Sequence, residues 1–175
     1  GDSKTMNDAV ARATEMKALV IVAAGNESSD AAEYTPANAP DAITVAAVGH
    51  YGQNRSRPKR ATYSNFGAVV DLAAPGEDIL SSIIGQGYEA WDGSSMACPN
   101  AASVIGLLRS YYPSWDNSQL IDRIISSSDK FIYDLNPEYV NCIDDEGNQI
   151  TCEDEDGNPI DCNCIGAGMV DAYAA

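Results

Sequence analysis

Residues 93–99 read Gly93-Ser94-Ser95-Met96-Ala97-Cys98-Pro99, and this stretch opens the most informative helix of the chain. From about Ser95 to Ser110 the residues are apolar on nearly all sides, which predicts a buried helix, with Pro99 tolerated in its first turn. The first N–H groups of a helix have no partner inside it, and the helix dipole favours negative charge there. A hydroxyl at Ser95 is therefore expected beside N–H groups that favour a negatively charged ligand, while the Ser94 hydroxyl is expected to cap the helix.

Strand patterns precede that helix. Apolar, β-rich runs at residues 19–24, 42–48 and 69–73 predict strands buried on both faces of a parallel sheet. The turn at residues 85–87, Gly-Gln-Gly, predicts a hairpin that joins residues 79–84 to 88–91.

Two further helices are predicted, one at residues 117–127 and one near the N-terminus that Asp2 or Ser3 can cap. The N-terminal helix is expected to pack on a core through an apolar stripe at helical spacing: Met6, Ala9, Val10, Ala13 and Met16. Helices that alternate with buried strands indicate an α/β fold, in which helices cover both faces of a mostly parallel sheet.

Composition limits the function classes. At 175 residues the chain is long enough for one packed domain and too short for two. Its 10 basic and 26 acidic residues give a formal charge of −16, which repels phosphate backbones and argues against a nucleic-acid partner. No apolar stretch is long enough for a membrane span, and the N-terminus lacks a signal-peptide pattern. Residues 1–3 are interpreted as an internal start or a cut.

A cysteine-rich acidic insertion is predicted at about residues 141–165, where two ten-residue repeats begin at Cys142 and Cys152. The clustering predicts disulfides and an oxidising compartment. Cys162 and Cys164 are too close to pair without strain, so each is expected to pair with Cys142 or Cys152, and two connectivities remain open. Four-cysteine zinc binding is the competing interpretation, but the spacing does not fit zinc knuckles. The repeat carboxylates are candidate calcium ligands without EF-hand spacing, so a flexible solvated insertion is preferred.

Four segments resemble the subtilisin-like serine peptidases, or subtilases, and they occur in family order. Residues 93–99 resemble the family's nucleophile motif Gly-Thr-Ser-Met-Ala-x-Pro, and residues 23–27, Ala-Ala-Gly-Asn-Glu, resemble its oxyanion segment. Residues 73–76 are similar to its Ala-Pro-Gly turn, and residues 166–172 to its closing strand and helix.

The resemblance implies a three-layer subtilisin-like fold, of which this chain is the C-terminal half. It implies a secreted or extracytoplasmic endopeptidase in which Ser95 attacks a peptide carbonyl and forms an acyl-enzyme. The Asn26 side chain and the Ser95 N–H are expected to hold the oxyanion, and Ala23, Ala24 and Gly25 to border the substrate pocket. No cofactor is expected for the chemistry.

The chain departs from the family by lacking the motifs for the base and the orienting acid, which a serine nucleophile needs. His50 is the only histidine, and it is expected in a solvated turn outside the active site. One hypothesis is that an N-terminal half supplies the missing Asp and His. The alternative is a non-catalytic fragment or pseudoenzyme that serves as a calcium-responsive or protein-binding module.

Three smaller features are less specific. The basic residues 57–60, Arg-Pro-Lys-Arg, are either a processing site or a solvated loop. Cys98 is expected to be a small buried residue rather than a regulatory thiol. Asn100 stands where the family's motif has histidine, which weakens the match slightly.

Overall fold

A four-stranded sheet forms the centre of the computed structural model, which describes residues 3–51, 54–135, 152–153, 159–160 and 165–171. Residues 50–51, 54–57, 135, 152–153 and 159–160 are described by backbone alone. The strands are β1 (Val20–Ala23), β2 (Ala42–Tyr51), β3 (Asn54–Arg60) and β4 (Leu72–Pro75). β2 pairs in parallel with β1 and β4, and antiparallel with β3. The predicted α/β fold is confirmed, with a mixed sheet.

Side chains of the central strands are buried on both faces of the sheet, as predicted. In β2, Ile43, Val45 and Ala47 contribute to one apolar cluster with α2 and α3, whereas Ala46 and Val48 contribute to another. Alternate residues of a strand point to opposite faces. The sheet therefore separates two apolar cores, and its central strands are packed from both sides.

Helix α2 (Ser94–Tyr111) packs on β1, β2 and β4 through one face only. The residues of this face are Ala97, Ala101, Ile105 and Leu108, whereas Leu107 is 67% exposed and Tyr111 is 77% exposed. The prediction of a helix buried on all sides is thus wrong within the described residues. Pro99 is the sixth residue of the helix, so the prediction of proline in the first turn is also wrong.

The N-terminal helix α1 (Lys4–Glu15) is amphipathic but mostly exposed. Val10 is its buried residue, whereas Met6 is 45% and Met16 82% exposed, so most of the predicted packing stripe does not reach a core. Ser3 occupies the N-cap position without a side-chain hydrogen bond to the helix.

Two strand predictions need correction. The third run, residues 69–73, begins in a turn in which the Val70 N–H donates to the Gly67 carbonyl, so β4 starts only at Leu72. β2 continues past its predicted end to Tyr51, and His50 lies in this strand opposite Pro58 rather than in a turn. The side chain of His50 is outside the described part.

The basic segment at residues 57–60 lies in β3, and its last residue is buried. The Arg60 guanidinium donates to the Ser64 carbonyl over 2.5 Å and lies 4.7 Å from the centre of the Phe66 ring. A solvated loop is therefore the wrong interpretation for Arg60, because its charge is used inside the fold.

The predicted hairpin and downstream helix are confirmed, as β5 (Ile79–Ile83), β6 (Gly87–Trp91) and α3 (Asn117–Ser127). Asp116 caps α3 in a capping box with Gln119, and α4 (Phe131–Leu135) follows.

The described C-terminal residues lie beside the sheet. Met169 bridges to Ala73 in parallel, where the resemblance implies a closing strand. In the acidic insertion, β7 (Cys152–Glu153) pairs with β8 (Pro159–Ile160). Cys142, Cys162, Cys164 and the Cys152 side chain lie outside the described part, so the disulfides stay a prediction. No described helix is long and apolar enough to cross a membrane.

Candidate active site

The end of β1 carries the first half of the site. The Ala24 N–H donates to the Val45 carbonyl over 3.0 Å, and the Ala24 side chain is fully buried. Gly25 then adopts φ = +106°, a conformation that glycine tolerates far better than other residues. This turn brings the next residue, Asn26, out of the sheet to the surface.

The start of α2 carries the second half. Ser95 is the second residue of the helix and is exposed. The Gly93 N–H just before the helix donates to the Gly76 carbonyl over 2.8 Å, which ties the helix start to the end of β4. No described residue forms a hydrogen bond with the Ser95 hydroxyl.

Ser94 joins the two halves. Its N–H donates to Asn26 Oδ1 over 2.8 Å, and its hydroxyl donates to the same oxygen over 2.9 Å. The Gly25 N–H donates to the Ser94 hydroxyl over 3.2 Å. The prediction that Ser94 caps the helix is wrong, since α2 has no side-chain cap. The sequence missed the actual role of Ser94, because its partners are far away along the chain.

The nitrogens of the two predicted oxyanion donors lie near the same position beside Gly93. A side-chain carbon placed on Gly93 would lie 3.6 Å from the Ser95 nitrogen and 3.8 Å from Asn26 Nδ2. Because Asn26 Oδ1 is occupied by Ser94, the Nδ2 group is the end of the amide left for a ligand. The Ser95 nitrogen and Asn26 Nδ2 thus both lie within 4 Å of one position beside Gly93.

Tyr63 binds the turn that holds the start of α2, although nothing in the sequence indicated this role. Its hydroxyl donates to the Gly76 carbonyl over 2.9 Å, the same carbonyl that accepts from Gly93. Burial, helped by the nearby carboxylates of Glu77 and Asp92, raises the pKa of Tyr63 to about 12. The phenol is therefore a permanent donor at neutral pH.

Two other residues of α2 have packing roles. The Cys98 thiol donates to the Ile21 carbonyl over 3.4 Å, and burial raises the pKa of this thiol. A protonated, partly buried thiol is a poor nucleophile, which favours the predicted packing role over a regulatory one. Asn100 donates to the Pro75 carbonyl over 2.8 Å, so it links α2 to β4.

No group of three or more His, Cys, Asp or Glu side chains that could hold a metal ion occurs in the described ranges. The acidic repeats fall outside those ranges, so the calcium prediction is untested.

An exposed serine at the start of α2 thus lies close to a side-chain amide at the end of β1. The chain belongs to the subtilase family, whose family model matches residues 1–159.

Individual relatives agree with this family. Alkaline protease 1 of Aspergillus flavus is 50% identical over 109 residues, which are 61% of this chain and 25% of that protein. Alkaline elastase YaB of a Bacillus species is 40% identical over 118 residues, 67% of this chain and 29% of that protein.

Solved structures show the same fold. A cold-adapted subtilisin-like serine proteinase superposes with a TM-score of 0.67 at 33% identity, over 73% of this chain and 45% of that one. A protease of Pseudoalteromonas arctica gives a TM-score of 0.74 at 27% identity, over 99% and 46%. The chain therefore spans about a quarter of those curated relatives and less than half of the solved structures.

Proposed function

We propose that this chain is the nucleophile-bearing part of a serine endopeptidase that hydrolyses peptide bonds through an acyl-enzyme at Ser95. The observation that supports this most is that the Ser95 nitrogen and Asn26 Nδ2 both lie within 4 Å of one position beside Gly93. Ser94 also holds the Asn26 amide at the helix start by two hydrogen bonds, which is not needed to form a helix.

In this mechanism the Ser95 oxygen attacks the peptide carbonyl carbon, and an external base takes the hydroxyl proton. The carbonyl oxygen becomes negative and accepts from the Ser95 N–H and Asn26 Nδ2. The C–N bond then breaks, and the base returns its proton to the leaving amine. Water, deprotonated by the same base, then attacks the acyl ester carbon. The ester C–O bond to Ser95 breaks, and the base returns its proton to the serine oxygen.

The substrate is a protein or peptide, and Ala23, Ala24 and Gly25 border its pocket. Because the Ala24 side chain is fully buried, it supports the pocket from beneath, whereas Ala23 and Gly25 are only half-buried. The elements on which these residues lie are held by β2 and Ser94, which supports a rigid binding edge.

The base and the orienting acid come from a part of the peptidase domain outside this chain. This chain spans less than half of the solved structures that it matches, which supports this assignment. The burial of α2 on one face only also supports it. The exposed outer face of α2, which includes Leu107 and Tyr111, is where that part would dock. The outer edge of β1 has no strand partner among the described residues and would extend the sheet to it.

We place the enzyme outside the cytoplasm, on the strength of the cysteine cluster. No cofactor takes part in the chemistry, and calcium bound by the acidic repeats would serve structure alone. Calorimetry of the chain with calcium tests this second point. A null titration would remove calcium from the proposal and leave the peptidase function untouched.

A fluorophosphonate probe, which reacts with activated serines, tests the proposed function. The chain alone should not be labelled, and adding the base-bearing part of the domain should restore labelling. Ser95→Ala should abolish the restored signal, whereas His50→Ala should leave it unchanged. Absence of labelling in a folded complex would refute the proposal, and labelling that survives Ser95→Ala would assign the nucleophile elsewhere.

A further inference from the structure

We infer that Asn65 is a positioning residue for the oxyanion site, holding the loop of residues 24–29 so that Asn26 points its amide at the substrate carbonyl. The inference rests on the proposed function and extends it to a residue in the segment between β3 and β4. The hydrogen bonds of Asn65 go to the loop of residues 24–29 and not to Ser95.

The Asn65 side chain is fully buried and uses both ends of its amide on this loop. Its Nδ2 donates to the Ala24 carbonyl over 3.0 Å and to Glu27 Oε2 over 2.8 Å. Its Oδ1 accepts from the Glu27 N–H over 2.9 Å and from the Ser29 N–H over 3.1 Å. Two donations and two acceptances satisfy the amide, so its orientation is determined by its partners.

The backbone of Asn65 also forms a hydrogen bond with this loop. Its N–H donates to the Gly25 carbonyl over 3.0 Å. Glu27 Oε2, which Asn65 holds, accepts from the Asn26 N–H over 2.8 Å. The backbone before, at and after Asn26 is therefore tied, directly or through Glu27, to one residue.

Close packing accompanies these bonds. A side-chain carbon on Gly25 would lie 2.3 Å from Asn65 Nδ2 and 2.7 Å from Glu27 Oε2. The amide and the carboxylate thus fill the space directly over the Gly25 backbone. The loop cannot move toward Asn65, and it cannot move away without breaking the hydrogen bonds to Asn65, of which the one to the Ala24 carbonyl is buried.

Asn26 is consequently held from two directions. Ser94 on α2 binds its side-chain oxygen, and Asn65 fixes the backbone that carries it. An oxyanion donor works only when it is held close to its productive position, and a misplacement of about 1 Å can cost about 10²-fold in rate. Loss of Asn65 should therefore reduce kcat rather than substrate binding.

Steady-state kinetics of the assembled peptidase, this chain together with the base-bearing part, tests the inference with Asn65→Ala. We expect kcat to fall about 10²-fold with little change in KM. Hydrogen exchange of the Glu27 and Ser29 amides, which donate to Asn65, should accelerate in the same variant.

A second variant distinguishes a loss of positioning from a loss of folding. Asn65→Asp places two carboxylates against each other and should lose activity similarly. Adding Glu27→Gln restores a donor opposite the new carboxylate, so the double variant should regain part of the lost kcat.

Asn117→Ala is the matched control, because the Asn117 amide also links two segments of the chain. Its oxygen accepts from Arg109 on α2, and its Nδ2 donates to the Ala18 carbonyl. Arg109 lies fourteen residues beyond Ser95 on α2, about 21 Å along the helix axis. This control should lower stability without changing kcat.

The outcomes separate the inference from the proposed function. Wild-type kcat in a folded Asn65→Ala enzyme would overturn the inference and leave the peptidase function standing. A kcat loss no larger than that of Asn117→Ala, with no recovery in the double variant, would also overturn it. An assembled wild type that does not react with fluorophosphonate would refute the proposed function, and the inference with it.

Discussion

At the scale of single residues, the amide of Asn26 has one orientation that its neighbours accept. The Ser94 N–H needs an acceptor, so Oδ1 must face Ser94 and Nδ2 must face the open side. Amide ends are assigned from such hydrogen-bond logic. The bonds to Ser94 thus hold Asn26 in place and leave Nδ2 as the group that would meet a substrate in the proposed mechanism.

Asn26→Ala should slow fluorophosphonate labelling of the assembled peptidase about 10²- to 10³-fold, the usual cost of one oxyanion donor. Asn38→Ala is a matched control, because its amide also donates to a backbone carbonyl, that of Ala32, away from the site. Equal labelling rates for the two variants would show that Asn26 is not a donor.

Ser94→Ala removes the hydroxyl that donates to Asn26 but keeps the backbone N–H bond, so its effect should be smaller than that of Asn26→Ala. Ser94→Thr retains the hydroxyl and should stay near the wild-type rate. Labelling rates of the three proteins check this order. A loss in the Thr variant as large as in the Ala variant would point to crowding rather than to the hydrogen bond.

Asp71 links stability to pH. Its Oδ2 accepts from the Thr44 N–H over 2.7 Å, but burial is the larger effect and raises the pKa of this carboxyl. Folding therefore favours the protonated acid, and the associated stability is present at low pH and lost as pH rises through the folded-state pKa.

Asp71→Asn should remove this pH dependence. Urea unfolding of the isolated chain across the acidic range should show the variant gaining stability relative to wild type as pH rises. Parallel stability curves for the two proteins would contradict the assignment.

At the scale of elements, the start of α2 depends on the turn after β4. The Gly76 carbonyl accepts from both Gly93 and Tyr63. A side-chain carbon on Gly76 would lie 2.7 Å from that of Ala47 and 2.8 Å from the Gly93 carbonyl oxygen. Glycine is needed here for space, since the helix start and β2 approach the turn closely.

Gly76→Ala should destabilise the chain by about 1–3 kcal/mol, the usual range for overpacking, and should slow labelling in the assembled enzyme. Gly106→Ala on α2 is the control, because nothing lies within 4 Å of the added carbon. Alanine is the better helix former, so the control should gain up to about 1 kcal/mol. Urea denaturation measures both values, and a neutral Gly76→Ala would mean that the turn can yield.

At the scale of the whole molecule, the chain covers one face of its central helix and leaves the other open. Exposed apolar side chains occur on the outer face of α2, at Leu107 and Tyr111, and on the β5–β6 hairpin, at Leu80 and Tyr88. Exposed apolar side chains that cluster can mark a contact site, and Leu107 and Tyr111 lie four residues apart on one face of α2. The proposed assembly assigns the α2 face to the rest of the peptidase domain.

Leu107→Glu should block the recovery of labelling when the base-bearing part is added, without altering the circular dichroism of the chain alone. Leu80→Glu introduces the same charge at a residue that is 69% exposed on the hairpin and should leave recovery intact. Full recovery with Leu107→Glu would exclude this face as the docking site.

Local signals in the sequence were sufficient for several elements. The hairpin was predicted by its glycine turn, α3 by its apolar period and β1 by an apolar run that ends at Gly25-Asn26. Each of these patterns acts within a few residues, so neighbours along the chain decide them. The resemblance to subtilases then predicted that Ser95 and Asn26 act together, and the structure has the Ser95 nitrogen and Asn26 Nδ2 within 4 Å of one position beside Gly93.

Long-range contacts decided the rest. The β2–β3 pairing takes His50 and Arg60 out of their predicted loops, because a partner strand can order polar residues that have no strand pattern. The Ser94 bond to Asn26 spans 68 residues, and the Asn65 bond to Ala24 spans 41. The sequence alone determined which residues could perform the chemistry. Only the tertiary structure decided what holds them, because hydrogen bonds between distant segments leave no local pattern.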